Sequence, residues 1–447
     1  MAVKTERVPR ENDIDSSEED VEIKEDEKLS ALKAKLAEKL AEKTLESPSQ
    51  DAGTKLSLRL GVIGSGQAGS RLAETFAKLG YPAVAINTAS QDLEHINLPS
   101  ASKLLLEHGL GGAGKELEIG ASAAETHRSA IEHLVEEQLC DSQVVMFCTS
   151  LGGGSGAGSA EVVVDILSEM ERPVVVVTVL PMSSEDPQTK SNALTTLSKF
   201  SRLVQSRKID NLIVVDNARI ESIYSEVGLQ DFFPMSNKAI VDPIHQFNLL
   251  SSQASSVKGL DPTEFGKIFT DGQGLTIYGK MSVSNYEEPT AIAEAVIDNL
   301  GDSLLASGFN LKQSRYVGVL IVANNKVWKK IPNAHVDYAM SMVNEMCGNP
   351  RGLFKGIYED DALGNEVVVY SMFSGLGLPE GRVAQLKKDA QEKMAESDQK
   401  DEDRNLSLKL EAEEETISAA EAVKRKIKAK RSSFGKLHSR AIIDRRK

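Results

Sequence analysis

The sequence predicts an α/β protein: a Rossmann-type, doubly wound parallel sheet over residues 56–234, a long central connecting helix over 235–257, and a smaller α+β domain over 258–380. An acidic N-terminal extension (1–55) and a charged helical tail (381–447) flank this core. Three observations carry the prediction. Continuous apolar runs, as expected of strands buried on both faces, alternate with segments of helical periodicity. Glycine-rich loops follow two of those runs directly. Beyond the long helix the order of strands and helices becomes mixed.

Taken in order, residues 1–55 open with ENDIDSSEEDVEIKEDE, which is acidic and too poor in large apolar groups to offset the entropy of ordering. LSALKAKLAEKLAEK then places Leu29, Leu32, Leu36 and Leu40 on one helical face before SPSQDAG ends the pattern. The first strand, LSLRLGVIG, runs into Gly64-Ser65-Gly66-Gln67-Ala68-Gly69 and the helix SRLAETFAKLG, and YPAVAIN gives a second strand. That loop is a literal G-x-G-x-x-G, but a dinucleotide site expects an acid at the end of the second strand, where this chain has Asn87-Thr88.

Gly109 to Lys115 fits G-x-x-x-x-G-K, yet Glu116 stands where a P-loop needs Ser or Thr, and the preceding LLLEH does not read as a strand. Val144 to Cys148 is an apolar strand that leads into Gly152-Gly153-Gly154-Ser155-Gly156-Ala157-Gly158 and a helix. That is phosphate-binding grammar: glycines let the backbone approach an anion, and the helix start offers unpaired N–H groups and a favourable dipole. RPVVVVTVLP and NLIVVDN complete the parallel sheet. NKAIVDPIHQFNLLSSQA has three-and-four spacing from Asn237 to about Ala254, with Pro243 as a candidate kink. The second domain comprises GLTIYGKMSVS, AIAEAVIDNLG, RYVGVLIVAN, VDYAMSMVNEMCG, LFKGIYED and EVVVYSMFSGL, and ends near Pro379.

Composition bounds the function. The 447 residues are 40% hydrophobic and 26% charged with a net charge of −14, so bulk charge does not make the body a nucleic-acid binder. The last stretch, Lys424 to Lys447, reverses that sign with eleven Lys or Arg against one Asp. Cys140, Cys148 and Cys347 have neither metal-ligand spacing nor a disulfide framework, and Cys148 reads as a small core residue. No apolar run reaches the roughly 18 residues of a membrane span, and the N-terminus lacks a signal peptide's apolar region. A cytoplasmic protein is expected.

The order of these loops resembles the tubulin/FtsZ superfamily, most closely the plasmid- and phage-borne partitioning tubulins of TubZ type, over about Leu56 to Pro379. The signature GGGTG[ST]G is matched by Gly152 to Gly158, with Ser155 keeping a hydroxyl and Ala157 losing one. Gly66-Gln67-Ala68-Gly69-Ser70 is similar to tubulin's GQCGN, Asn87 to Gln91 to N-T-x-x-Q, and Gly111-Gly112-Ala113-Gly114-Lys115 to the loop over the γ-phosphate in FtsZ.

The resemblance implies a GTP/GDP site with Mg2+. Gly64, Gly66, Gln67, Ala68, Ser70, Asn87, Gly112, Ala113, Gly114, Gly152, Gly153, Gly154, Ser155 and Gly156 would surround the phosphates, and Gln67 would lie near the metal through a water. Glu185 would bind ribose. Asn217 and Asn237 would read guanine, whose N1 and N2 hydrogens an amide oxygen can accept, while Phe233 either stacks on the base or packs in the core. Asp261 and Glu264 in DPTEF resemble the acid pair with which one subunit reaches the next subunit's nucleotide. Gly259 stands where FtsZ has Asn two residues before the first acid.

The implied function is a GTPase that polymerises head to tail and moves plasmid or phage DNA, with the basic end engaging a DNA-bound adaptor or DNA. The alternatives are an FtsZ-like division filament, a structural filament with poor turnover, and, on the G-x-G-x-x-G alone, an NAD(P)-dependent oxidoreductase.

Overall fold

The computed structural model describes residues 55–109, 111–301 and 309–403. The leucine stripe of the N-terminal extension and the basic end from Lys424 to Lys447 lie outside those residues.

Six parallel strands form the first half of the sheet: β1 (Leu60–Ser65), β2 (Ala83–Asn87), β3 (Lys103–Leu105), β4 (Val144–Ser150), β5 (Val174–Leu180) and β6 (Asn211–Asp216). β7 (Gly274–Val283), β8 (Tyr316–Ala323), β9 (Gly352–Glu359) and β10 (Val367–Leu376) form the second. All ten share one sheet in the order β3-β2-β1-β4-β5-β6-β7-β10-β8-β9. The first six follow the 3-2-1-4-5-6 order of doubly wound nucleotide-binding sheets, whose direction of winding reverses between β1 and β4. The join between the two halves is no break in the sheet, because Asn211–Ile213 of β6 pair in parallel with Gly274–Thr276 of β7.

β1, β2, β5 and β6 are buried along their whole length, which is why they read as unbroken apolar runs. β3 is different. LLLEH was not expected to form a strand, yet Lys103–Leu105 pair with Ala85–Asn87. Three half-buried residues on a sheet edge are too few to carry a periodic signal.

Helices α1 (Gly66–Ala77), α2 (Ser90–Glu94), α3 (Leu117–Thr126), α4 (Arg128–Gln138), α5 (Gly154–Glu169), α6 (Pro187–Gln205) and α7 (Asn217–Ile223) connect the parallel strands. α8 (Leu229–Leu250) and α9 (Pro262–Thr270) lead to β7, and α10 (Ala291–Gly301), α11 (Asn325–Trp328), α12 (Asn333–Met346) and α13 (Glu380–Asp403) complete the set. α1 buries Leu72, Ala73 and Phe76. α6 starts on Asp186, whose carboxylate accepts from Thr189 N, with Pro187 in the first turn where a missing N–H costs nothing.

α8 starts eight residues earlier than Asn237 and ends four before Ala254, running continuously through Pro234 and Pro243. Pro234 hid the start: it sits in the second turn, where the sequence alone suggests a break. The helix core is aromatic. Phe247 of α8 stacks on Phe265 of α9 at 6.1 Å between ring centroids, and Phe265 on Phe269 at 5.3 Å. All three are fully buried, each such side chain contributing about 1.5–3 kcal/mol. Cys148 is a buried core residue as expected, and burial pushes its thiol pKa up.

The far end of α8 is tied to the start of the sheet by Asn248, which has no exposed surface. Its Oδ1 accepts from Leu58 N at 2.8 Å, and its Nδ2 donates to Leu58 O at 3.0 Å and to Tyr81 Oη at 3.2 Å. Asn248→Ala leaves a backbone amide, a carbonyl and a phenol short of partners in a dry site. A loss of about 2–4 kcal/mol is expected, read as a lower urea midpoint at unchanged slope; an unmoved midpoint would mean that the helix end is held elsewhere.

Candidate functional site

Because β1, β2, β4, β5 and β6 are parallel, the loops at their carboxyl ends emerge on one edge of the sheet, and the crevice between β1 and β4 lies at the reversal of strand order. The glycine loops meet there. Gly66 has φ +72°, and a Cβ on it would stand 2.9 Å from Gly156 N, so the turn after β1 and the start of α5 touch through bare backbone. A Cβ on Gly154 would lie 2.8 Å from Ala113 Cβ and 2.9 Å from Lys115 N. The loop that fails as a Walker motif therefore lies directly over the start of α5. That helix begins after Gly153 with no side-chain cap, which leaves its first N–H groups for another acceptor.

Side chains join the same loops. Thr88 Oγ1 and Ser155 Oγ share a short hydrogen bond. Asn87 is fully buried at the end of β2 and donates from Nδ2 to Asp92 Oδ2 at 3.0 Å, while Gln67 Nε2 reaches Asp92 Oδ1 at 3.3 Å. Ser70 is fully buried, and its hydroxyl has no hydrogen-bond partner among the described residues. Ala113 is buried and Gly112 half-buried, with a Cβ on Gly112 3.8 Å from Ala89 Cβ. A small-residue cradle, an uncapped helix start and an orphan hydroxyl make a fit for a phosphate chain.

Lys115 pairs with Asp186, the cap of α6, and Asn192 Nδ2 donates to Lys115 O at 2.8 Å and to Gly152 O at 3.2 Å. Partial burial disfavours the Asp186 anion, but hydrogen bonds from Lys115 and Thr189 outweigh it and hold the carboxyl well below the usual carboxylate range. Lys115 thus pins the covering loop to α6.

Further along the edge, Glu185 is half-buried in the loop after β5, its Oε1 accepting from Met182 N at 3.3 Å. Asn217 is the first residue of α7, next to its cap Asp216. Asn237 lies on α8 one turn after Phe233, which is 39% exposed, packs edge-on to Phe232 and lies under the Arg71 guanidinium at 5.3 Å from the ring centroid. At that exposure the ring is not a core residue.

Asp261 and Glu264 do not join this cluster. Asp261 caps α9 and accepts from Glu264 N at 2.8 Å, while Glu264 Oε2 accepts from Asp261 N at 3.0 Å, a complete capping box. Tyr358 of β9 holds the preceding residue, accepting from Leu260 N at 2.9 Å. The chain reaches Asp261 only after α8 has carried it, over about 20 Å, from Asn237 to its end at Leu250, beside the amino end of β1 at Leu58.

Several contributors are not among the candidate residues read from the sequence. Asp92 gives one signal, an acid opening a helix just after Asn-Thr. Thr88 gives only its hydroxyl beside Asn87. The Lys115–Asp186 and Arg382–Asp216 pairs join residues 71 and 166 positions apart, and no local pattern announces them.

Known proteins share the sequence and the fold of this chain. Residues 59–225 match the family model for the GTPase domain of the tubulin/FtsZ family, and residues 246–387 match that for the C-terminal domain of TubZ-like proteins. The tubulin-like protein TubZ of Bacillus cereus is 24% identical over 267 residues, 56% of this chain and 61% of the relative's length. The tubulin-like protein CetZ of Pyrococcus horikoshii is 26% identical over 335 residues, 71% of this chain and 86% of the relative. Among solved structures, a GTPγS-form protofilament of Bacillus thuringiensis serovar israelensis TubZ superposes with a TM-score of 0.70 at 20% identity, covering 79% of this chain and 96% of that one. The two matched segments together span more than half of the sequence, and the chain belongs to the tubulin/FtsZ family.

Proposed function

We propose that this tubulin/FtsZ family member hydrolyses GTP at sites completed between subunits, and polymerises head to tail into filaments that move or position plasmid or phage DNA. One observation carries the reading: the phosphate-binding loops follow the carboxyl ends of β1, β2 and β4, whereas α8 carries the chain to Leu58, before the amino end of β1, ahead of Asp261 and Glu264. A chain whose two half-sites face away from each other completes neither alone. Stacking one subunit on the next would join them, and such a heterologous contact repeats into an open filament.

Within a junction, the backbone of Gly152 to Gly156 and the loop from Gly112 to Lys115 would hold the triphosphate. Glu185 would bind ribose, and Asn217, Asn237 and Phe233 would read and stack the base. Asp261 and Glu264 of the neighbour would orient water in line with the γ-phosphate. Magnesium, when bound, would neutralise charge on the β- and γ-oxygens, and the donor set suits it: Gln67 and Asp92 offer an amide and one carboxylate, the sparse ligation this ion takes beside phosphates. Among the described residues no cluster of three acidic, His or Cys side chains forms a dedicated metal cage. No helix of those residues is long and apolar enough to cross a membrane.

The test is phosphate release from GTP across protein concentrations, with sedimentation in parallel. A threshold above which the rate per subunit rises sharply, and pelleting that needs GTP, are expected. Constant specific activity down to high dilution would sink the shared site, and NAD(H) binding without assembly would favour an oxidoreductase. For the DNA role, deleting 424–447 should abolish binding to DNA or a DNA-bound adaptor while leaving GTP-dependent pelleting intact. Unchanged cargo binding would remove the tail from the account.

A further inference from the structure

The C-terminal helix α13 is charged along most of its length, yet its opening turns bury one face. Leu386 is 1% exposed and Ala390 4%. Val383 and Leu386 share an apolar recess with Leu180 at the end of β5, Leu197 of α6 and Val214 of β6. The strands that end beneath this recess lead directly into the Glu185 loop and into Asn217.

At its rim, Arg382 forms a forked pair with Asp216: Nε donates to Oδ2 at 2.6 Å and Nη2 to Oδ1 at 3.1 Å. The two side chains are only 12% and 6% exposed. Asp216 is also the last residue of β6 and the cap of α7, its Oδ1 accepting from Ala218 N at 3.1 Å. Asn217 therefore sits between two residues that one carboxylate fixes, and Arg382 fixes the carboxylate.

α7 has seven residues, too short to hold its own geometry without outside anchors. Without Arg382 the Asp216 anion would be left nearly buried and half-paired. Such a group turns toward water and takes its neighbours with it.

We infer that Arg382 is a positioning residue for base recognition: through Asp216 it sets the orientation of Asn217, so that the docked start of the C-terminal helix forms part of the nucleotide-selectivity apparatus. This rests on the proposed guanine-reading role of Asn217. The fork is what the geometry needs, because a lysine supplies a point charge where the guanidinium supplies two directed donors.

The experiment measures dissociation constants for GTP and for ITP, which lacks the 2-amino group, in full-length wild type, Arg382→Ala, Arg382→Lys and Asp216→Asn. Wild type should prefer GTP. In Arg382→Ala the GTP:ITP preference should fall by about tenfold, the factor expected from one misaligned hydrogen bond. ITP, held by phosphates and sugar, should bind nearly as before. Arg382→Lys should recover part of the preference. Asp216→Asn keeps an oxygen to cap Ala218 and removes only the charge pair, so it carries the test if Arg382→Ala fails to fold, and the same loss of preference is expected. Equal weakening of GTP and ITP, with the ratio unchanged, would reduce Arg382 to an anchor for the helix and overturn the inference. A wild type without preference for GTP over ITP would overturn the reading of Asn217 beneath it.

Discussion

Replacing Glu264 with Ala is expected to cut phosphate release by about 10²–10³-fold while leaving GTP binding unchanged and filaments long and GTP-loaded. The choice between the two acids follows from the cap they share. Asp261 supplies the principal cap of α9, accepting from Glu264 N at 2.8 Å, and its removal costs about 0.5–2 kcal/mol of helix stability. Glu264 returns a single bond to Asp261 N at 3.0 Å. Its loss leaves Asp261 in place, and Phe265, Ile268 and Phe269 still pin the helix to the core. Glu264→Ala therefore separates chemistry from folding where Asp261→Ala mixes them. Glu264→Gln sharpens the point: the amide oxygen can still accept from Asp261 N, but the negative charge that would polarise water is gone. Phosphate release and sedimentation are measured on the same samples. Wild-type turnover in either variant would remove Glu264 from the reaction, and lost pelleting would mean that the residue holds the filament together instead.

How much of this could be read in the chain varies with how local the cause is. β4, β5 and β6 announce themselves because a strand buried on both faces needs an apolar residue at nearly every position, and Val174–Leu180 supplies six in seven, all but Thr178. The glycine loops are legible for a related reason: Gly154 and Gly156 stand where any Cβ would strike a neighbouring loop or strand end, and composition reports that directly. β3 and the first turns of α8 were obscured by local features, a three-residue edge and Pro234. The contacts that knit the site are harder still. Lys115 reads as part of the loop over the γ-phosphate with no partner signalled, and Asp186 reads only as a helix cap before Pro187. Arg382 sits in a run of charged helix, where nothing marks one cation as buried and forked. Side chains that meet because a sheet brings distant loops together leave no pattern of their own in the sequence.

The nucleotide half of the site gives the complementary prediction. A Cβ on Gly156 would fall 2.6 Å from Thr149 Oγ1 and 2.9 Å from Ser65 O, atoms at the ends of two core strands that have nowhere to retreat. Gly156→Val adds two methyl groups to that clash. Overpacking of this kind costs about 1–3 kcal/mol, and the larger effect falls on the start of α5, displaced from where its N–H groups would meet phosphate. GTP affinity should fall at least about 100-fold, measured by equilibrium dialysis, with turnover lost.

Gly156→Val keeps Asp261 and Glu264, however, just as Glu264→Ala keeps every glycine loop. If the site is divided between subunits, each variant lacks the half that the other retains. A mixture should then release phosphate well above the sum of the two proteins alone, from junctions where a Glu264→Ala subunit holds GTP against the acids of a Gly156→Val neighbour. Both proteins should appear in the pellet. Co-sedimentation without recovered turnover would show that the acids act on nucleotide in their own chain or not at all. Recovery from two proteins that are each silent requires the two half-sites to meet across a subunit boundary, which a single subunit, with its glycine loops after the carboxyl ends of β1, β2 and β4 and its acids beyond the far end of α8, cannot arrange by itself.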